Sequence, residues 1–404
     1  MALDTSINPN KLGFGLMRLP MVGGQVDIDL FKKMVDVYID RGFSYFDTSP
    51  VYLRGESEAA ANEAIVKRFP RDKITLSTKL PCWLLHSKED MQKVFEGSLR
   101  AFGTDYLDAY MLHGLSASGH DDRFGTAASD VSKADKLGAW DFLQKVKAEG
   151  KVRHIGFSYH DSAEALDKIL AEHPEVDYVV LQINYLDWDD DIIQSRKCYE
   201  VARKHGLCMS VMEPLKGGTL VNLPPKAANL LKSYHPDASL ASWGLRFVAS
   251  LDGIIATMSG MQSVEEVKAN TEVMCKENFV PLSDEERNIL MQVRPILEEA
   301  DLIKCTGCGY CLESCPKHIK IPQLFAIENN FRLYNNLRAD TFRYLNQTQL
   351  GDSGKASSCI RCLQCERHCP QKLPITDYLK VVAERFEDNG YILPATQSLG
   401  DRYK

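Results

Sequence analysis

Up to about residue 275 the chain alternates short β-branched or apolar runs with amphipathic stretches. The runs predict strands at Gly13–Arg18, Phe43–Thr48, Ile74–Lys79, Tyr106–His113, Val152–Ser158, Tyr178–Asn184, Leu207–Glu213 and Gly253–Ser259. Between them apolar residues recur at helical spacing: Leu30, Met34, Val37 and Tyr38; Met91, Val94, Phe95 and Leu99; Leu166, Ile169 and Leu170. Arg41-Gly42, Phe102-Gly103, Glu149-Gly150 and His205-Gly206 each place a glycine after a helical stretch and before a strand, a helix-terminating signal. Eight strand–helix units in about 275 residues predict an α/β fold, a closed (β/α)8 TIM barrel. An open doubly wound sheet is the competitor, but Gly13-Phe14-Gly15-Leu16-Met17-Arg18 is not G-x-G-x-x-G.

One connection departs from this rhythm. Leu115 to Ala139, after the fourth strand, is rich in Ser, Ala, Gly and Asp; such length marks a lid, a binding loop or a mobile insertion. Beyond the barrel, Ser283-Asp284-Glu285-Glu286 is a capping box that starts a helix through Leu290, Val293 and Leu297. Helical spacing returns at Leu324, Ile327, Phe331 and Tyr334, and at Leu379, Val382 and Phe386. The expected organisation is a barrel over 1–280, a connecting helix over 281–300 and a small, mainly α-helical domain over 301–404.

The 404 residues are 44% apolar and 25% charged, which excludes disordered and low-complexity classes. A net charge of −7 without a long Lys/Arg run argues against nucleic acid as a partner. No apolar run approaches the roughly 18 residues of a membrane span, so no membrane insertion is expected. The first ten residues lack a basic flank and an apolar stretch, so the expected location is cytoplasmic.

In a reducing compartment clustered thiols read as metal ligands, and eight of the twelve cysteines crowd into Cys305–Cys369. Cys305-Thr-Gly-Cys308-Gly-Tyr-Cys311-Leu-Glu-Ser-Cys315-Pro316 is C-x2-C-x2-C-x3-C-P, and Cys359, Cys362, Cys365, Cys369 and Pro370 repeat it. In two-cluster ferredoxins the first three cysteines of each run hold one cluster and the fourth ligates the other. Cys305, Cys308, Cys311 and Cys369 are therefore assigned to one [4Fe–4S] centre, and Cys359, Cys362, Cys365 and Cys315 to the second. Tetrahedral zinc, the alternative, usually takes paired C-x2-C units. The roughly 43-residue helical spacer makes the segment resemble the α-helical ferredoxin modules that transfer electrons in respiratory reductases.

Four polar residues fall at or just after predicted strand ends: Asp47, Tyr52 in the loop that follows, Lys79 and His113. The C-terminal strand ends of a barrel form its active-site face, so the four are placed to converge. Their chemistry fits carbonyl reduction. A neighbouring ammonium lowers the pKa of a tyrosine by stabilising phenolate, a carboxylate holds that ammonium charged, and a histidine donates to a carbonyl oxygen.

On Gly13-Phe14-Gly15, Asp47-Thr48-Ser49-x-x-Tyr52, Ser77-Thr78-Lys79, Leu112-His113, Gly156-Phe157-Ser158, Leu181-Gln182-Ile183-Asn184-Tyr185 and Pro214-Leu215-x-Gly217-Gly218, residues 10–275 resemble the aldo-keto reductase family. The resemblance implies Tyr52 as general acid, Lys79 and Asp47 as its tuning pair and His113 as the substrate-orienting group, with hydride from NADP(H) or NAD(H). It implies that Ser158 and Gln182 hold the carboxamide and that Pro214, Leu215 and Gly217 line the pyrophosphate channel. Gly260, Ser263, Glu266 and Asn270 would surround the adenosine, and Trp83 would line the substrate pocket. Three positions depart from the family: Ser158-Tyr159 replaces Ser-Asn, Met212 stands where an aromatic often stacks on the nicotinamide, and Glu266 stands where an arginine often meets the 2′-phosphate.

A nicotinamide gives two electrons as hydride, whereas a [4Fe–4S] cluster passes one at a time. Three readings remain open at this point. The barrel reduces a small-molecule carbonyl compound while the clusters pass electrons through a flavin or another intermediary, to a redox partner such as a ferredoxin or flavoprotein. Alternatively the clusters are structural, or the barrel is a non-catalytic regulatory or docking subunit.

Overall fold

The computed structural model describes residues 7–23, 25–116, 129–191, 193–221, 223–299, 302–303, 305, 310–349, 353–367 and 373–387. The strands are β1 (Leu12–Gly15), β2 (Met21–Val22), β3 (Gln25–Val26), β4 (Tyr45–Asp47), β5 (Thr75–Leu80), β6 (Leu107–Ser116), β7 (Ser129–Asp130), β8 (Val152–Tyr159), β9 (Tyr178–Gln182), β10 (Cys208–Met212) and β11 (Ile254–Ser259). Parallel pairing runs β5-β4-β1-β11-β10-β9-β8-β6, and a further β5–β6 pairing closes the ring. All eight predicted strands are its members, so the fold is a closed parallel barrel.

The helices up to the connector are α1 (Ile28–Asp40), α2 (Ser57–Ala61), α3 (Lys88–Phe102), α4 (Val131–Leu137), α5 (Ala139–Ala148), α6 (Ala163–Glu172), α7 (Ser195–Lys204), α8 (Pro225–Tyr234), α9 (Leu240–Ala249), α10 (Val264–Met274) and α11 (Asp284–Glu298). Each outer helix buries one apolar stripe: α1 turns Phe31, Met34, Val35 and Tyr38 inward, and α3 turns Met91, Val94 and Phe95. Gly42, Gly103, Gly150 and Gly206 all adopt positive φ just past their helices, as their positions predict. Between the helices and the barrel wall lies the large core; inside the barrel Tyr45, Met111, Tyr178 and Ile255 form a smaller cluster.

Three features depart from the sequence-based expectation. A short β2–β3 hairpin precedes α1; strands of two residues carry no readable alternation. The long 115–139 connection holds β7, which pairs with the end of β6, and α4; its residues 117–128 lie outside the described set. The capping box at Ser283–Glu286 forms, but α11 is more than a linker, because Leu290, Val293 and Leu297 are buried in the barrel's own core.

After α11 come α12 (Tyr310–Glu313), α13 (Ile321–Tyr334), α14 (Leu337–Gln349), α15 (Gln364–Arg367) and α16 (Ile375–Phe386). Ile321, Leu324 and Phe325 of α13 meet Tyr344 of α14 and Leu379, Val382 and Phe386 of α16 in a second core. Glu328, fully buried, is held there by Arg332 and by Arg385 at 2.8 Å. At the end of α13, Tyr334 belongs instead to the barrel's core, with Leu333 packed beside it, so the two units are in contact. Among the described residues no helix is long and apolar enough to cross a membrane.

Candidate active site

Asp47 ends β4, and Lys79 is next to last in β5. The pairing sets Asp47 opposite Ser77, and side chains two apart on a strand share a face. Ser77 therefore donates to Oδ2 of Asp47 at 2.9 Å, and Lys79 to Oδ1 at 2.5 Å. Lys79 also donates to the Thr48 carbonyl at 2.6 Å, and its charge lies close enough to Tyr52 to act on the phenol. An ammonium has three protons, and two of them are engaged by Asp47 and Thr48.

Tyr52 starts a single 3-10 turn after β4, with its N–H bonded to the Ser49 carbonyl. His113 lies within β6 rather than at its end, where the pairing with β8 shifts register between Leu112 and Leu115. Such an irregularity re-aims side chains at a sheet rim. His113 places Nδ1 3.1 Å from Oγ of Ser49, and its ring stands 5.7 Å from that of Tyr52 and 4.9 Å from that of Trp83. Lys79 Nζ lies 4.8 Å from the centre of the Tyr52 ring. The structure thus brings together all four predicted polar residues, with Trp83 against them.

The electrostatics differ from expectation in one respect. Burial raises the Tyr52 pKa, and although the Lys79 charge acts to lower it, the phenol stays above its ordinary value. Burial is invisible in the sequence and outweighs the ammonium here. Burial also opposes the Lys79 charge, but Asp47 and then Tyr52 overcome it and raise the ammonium's pKa. His113 is held well below the usual histidine value by burial, and then by Lys79 and His160. At neutral pH the site therefore presents a protonated phenol, an ammonium and a neutral imidazole.

Several residues assigned to the dinucleotide already have protein partners. Ser158 accepts from the Gly114 N–H at 2.7 Å, and Gln182 donates to Asp187 at 2.8 Å. Ser263 caps α10 by accepting from the Glu266 N–H, and Glu266 accepts from the Gln262 N–H at 2.7 Å. Asn270, buried, donates to Ser259 at 3.2 Å. Met212 ends β10, and Glu213, Lys216, Gly217 and Gly218 after it all have positive φ. This turn, with Pro214 and Leu215 inside it, leaves backbone and glycine surface beside Arg18, whose side chain also borders Gly260. A path lined by glycine and guanidinium fits the phosphates of a dinucleotide.

Sequence reasoning missed a latch beneath that turn. Asp187 accepts from Gln182, from Asn184 at 2.8 Å and from Lys216, which ties the loop after β9 to the loop after β10. Burial pushes the Asp187 carboxyl up, but Lys216 and these donors bring it below its ordinary value. Lys216 is the unspecified position of Pro214-Leu215-x-Gly217, so the motif alone gave no sign of it. Glu58 on α2 was also missed; it is buried and accepts from Thr78 at 2.7 Å.

In the helical unit Cys315 joins Cys359, Cys362 and Cys365 around one cleft, so the last cysteine of the first run meets the first three of the second. Burial raises the Cys365 thiol to about 11, with Cys359 and Cys315 close enough to add to the effect. Four clustered thiols in an apolar cleft fit an iron–sulfur centre. Of the other set, Cys305 and Cys311 are described, while Cys308 and Cys369 lie outside the described residues.

Residues 11–294 match the model of the aldo/keto reductase family, and residues 304–373 match that of a 4Fe-4S dicluster domain. The chain belongs to the aldo/keto reductase family and is an oxidoreductase with a 4Fe-4S dicluster domain fused behind the barrel. It is 21% identical to an NADH-specific methylglyoxal reductase of Escherichia coli over 345 residues, which cover 73% of this chain and 97% of that protein. It is 26% identical to an L-galactose dehydrogenase of Arabidopsis thaliana over 320 residues, covering 73% and 92%. Among solved structures, an aldo-keto reductase of Klebsiella pneumoniae in complex with NADPH superposes with a TM-score of 0.55 at 23% identity, covering 70% of this chain and 91% of that one.

Proposed function

We propose that the barrel interconverts a small-molecule carbonyl compound and its alcohol, with Tyr52 as the general acid. The observation that carries this reading is the buried Lys79 ammonium, bonded to Asp47 and the Thr48 carbonyl and lying 4.8 Å from the centre of the Tyr52 ring. A nicotinamide dinucleotide held along the mouth by Pro214, Leu215, Gly217 and Gly260 would supply the hydride for the carbonyl carbon. Tyr52 gives its proton to the carbonyl oxygen, and the phenolate left behind lies beside the Lys79 ammonium, which lowers the cost of forming it. A neutral His113 donates a hydrogen bond to the same oxygen and fixes its direction. The Trp83 ring lies 4.9 Å from that of His113, where it would line the substrate pocket.

Gly217, Pro214, Leu215 and Gly260 are the residues we assign to the dinucleotide's phosphates, Ser158, Gln182 and Met212 to its nicotinamide end, and Ser263, Glu266 and Asn270 to the adenosine. Of the relatives above, one is an NADH-specific reductase and another is a complex with NADPH, and no flavin belongs to the proposed cofactor set. Cys305, Cys308, Cys311 and Cys369 would hold one cluster and Cys359, Cys362, Cys365 and Cys315 the other, each supplying one-electron transfer to a redox partner.

Anaerobic purification followed by iron, sulfide, flavin and nucleotide analysis of one sample tests the cofactor set. The reading expects eight irons per chain, no flavin, and NAD(P)H oxidation on addition of an aldehyde or ketone. A flavin at one per chain, or inertness of NAD(P)H to every carbonyl class, contradicts it.

A further inference from the structure

Two guanidinium groups meet at the turn after β10, and they come from different units. A methyl group on Gly217 would lie 3.1 Å from Nη2 of Arg18 and 3.3 Å from Nη2 of Arg343. Arg18 follows β1 in the barrel; Arg343 lies on α14, within the dicluster unit. Like charges side by side repel each other, and a pair of this kind is stabilised by an anion between them.

The neighbouring groups hold Arg343 in this position. Nη1 of Arg343 donates to Oδ1 of Asp340 at 2.7 Å, and Asp340, fully buried, also accepts from Asn330 of α13 at 2.7 Å. Tyr334 at the end of α13 is sunk in the barrel's core. That anchor and the Asp340 bond aim Nη2 of Arg343 at Gly217. On the barrel side Arg18 is ion-paired with Glu213 at 3.8 Å, longer than a hydrogen bond. Beneath both, Lys216, Gly217 and Gly218 take left-handed backbone in succession, a conformation that brings chain without side-chain bulk up to a ligand.

We propose that Arg343 of the dicluster unit and Arg18 of the barrel together grip the diphosphate of the nicotinamide dinucleotide above Gly217, so that the nucleotide site is built from both units. The inference rests on the dinucleotide reading of the barrel mouth. It gives the fused unit a role in binding that is separate from electron transfer. Whatever loosens α14, including loss of cluster ligands, then also loosens the nucleotide.

The test is equilibrium binding of NADPH and NADH to the full chain, followed by quenching of tryptophan fluorescence, for the unaltered protein, Arg343→Ala and Arg343→Gln. Gln retains an amide donor that can serve Asp340 but lacks the charge and the Nη2 donor, and iron content reports whether each variant keeps its clusters. The expected result is a rise in Kd of tenfold or more for both nucleotides, with clusters retained and a shallower dependence of Kd on salt. A Kd within twofold of the unaltered protein in Arg343→Gln overturns the proposal while leaving the dinucleotide reading in place. A loss confined to NADPH overturns the diphosphate assignment, since it places the contact at the 2′-phosphate. Failure of the unaltered protein to bind either nucleotide removes the dinucleotide reading, and this inference with it.

Discussion

Lys79 and Asp47 form an ion pair at 2.5 Å with only 4% and 10% of their side chains exposed. Removing one partner of a buried pair leaves an uncompensated charge, at a cost of about 3–5 kcal/mol. Asp47→Ala is therefore expected to lower the denaturant midpoint of the barrel substantially. The double change Asp47→Leu with Lys79→Met is expected to recover much of the loss, because no buried charge is left alone. Chemical denaturation followed by circular dichroism decides it; equal losses in the single and double variants would count against the pairing as the cause.

Glu58 supplies a pH signature of stability. Burial raises its carboxyl from 4.5 to about 7, against the opposing bond from Thr78 and the Lys79 charge. With the folded value above the unfolded one, its contribution is fully present below about pH 4.5 and is lost as the pH rises through about 7. Glu58→Gln keeps an acceptor for Thr78 and carries no charge. From about pH 5 to pH 8 the unaltered protein should lose on the order of 2–3 kcal/mol relative to this variant. Parallel stability curves would show that Glu58 does not titrate in that window.

The groups proposed for catalysis make the opposite prediction, a flat profile. Tyr52 is raised and His113 lowered, so neither changes protonation near neutrality. The kcat/KM for a neutral carbonyl substrate should stay level between about pH 6 and pH 9. A bell centred within that range would assign one of the two protons wrongly.

The cleft shared by Cys315, Cys359, Cys362 and Cys365 predicts how iron is lost. Cys315→Ser should remove the centre held by the second run while sparing the one held by the first, so that iron per chain falls by about half. Loss of the first run's centre instead would show that each run holds its own cluster.

The barrel was legible because the short apolar runs from Gly13–Arg18 to Gly253–Ser259 carry the alternating αβ rhythm on their own. The observed strands start or stop a few residues away, as at Leu12–Gly15, where the chain turns into a 3-10 helix. The four polar residues were legible because Asp47, Tyr52 and Lys79 sit at or near strand ends and His113 sits three residues short of one, where fold geometry decides their meeting. The sign of the Tyr52 shift was not, since it depends on how deeply the fold buries the phenol. Nor was the Asp187–Lys216 latch, which joins two separate loops, or the approach of Arg343 to Gly217, which requires knowing how the second unit sits on the first.

The central claim is that Tyr52 hands its proton to a carbonyl oxygen. It is tested most directly by turnover of Tyr52→Phe, measured beside the unaltered protein with NAD(P)H and an aldehyde, with nucleotide affinity determined on the same samples. Loss of a general acid should lower kcat by about 10²-fold or more, with the Kd for the nucleotide unchanged within twofold. A Tyr52→Phe protein that turns over at the unaltered rate would contradict the account.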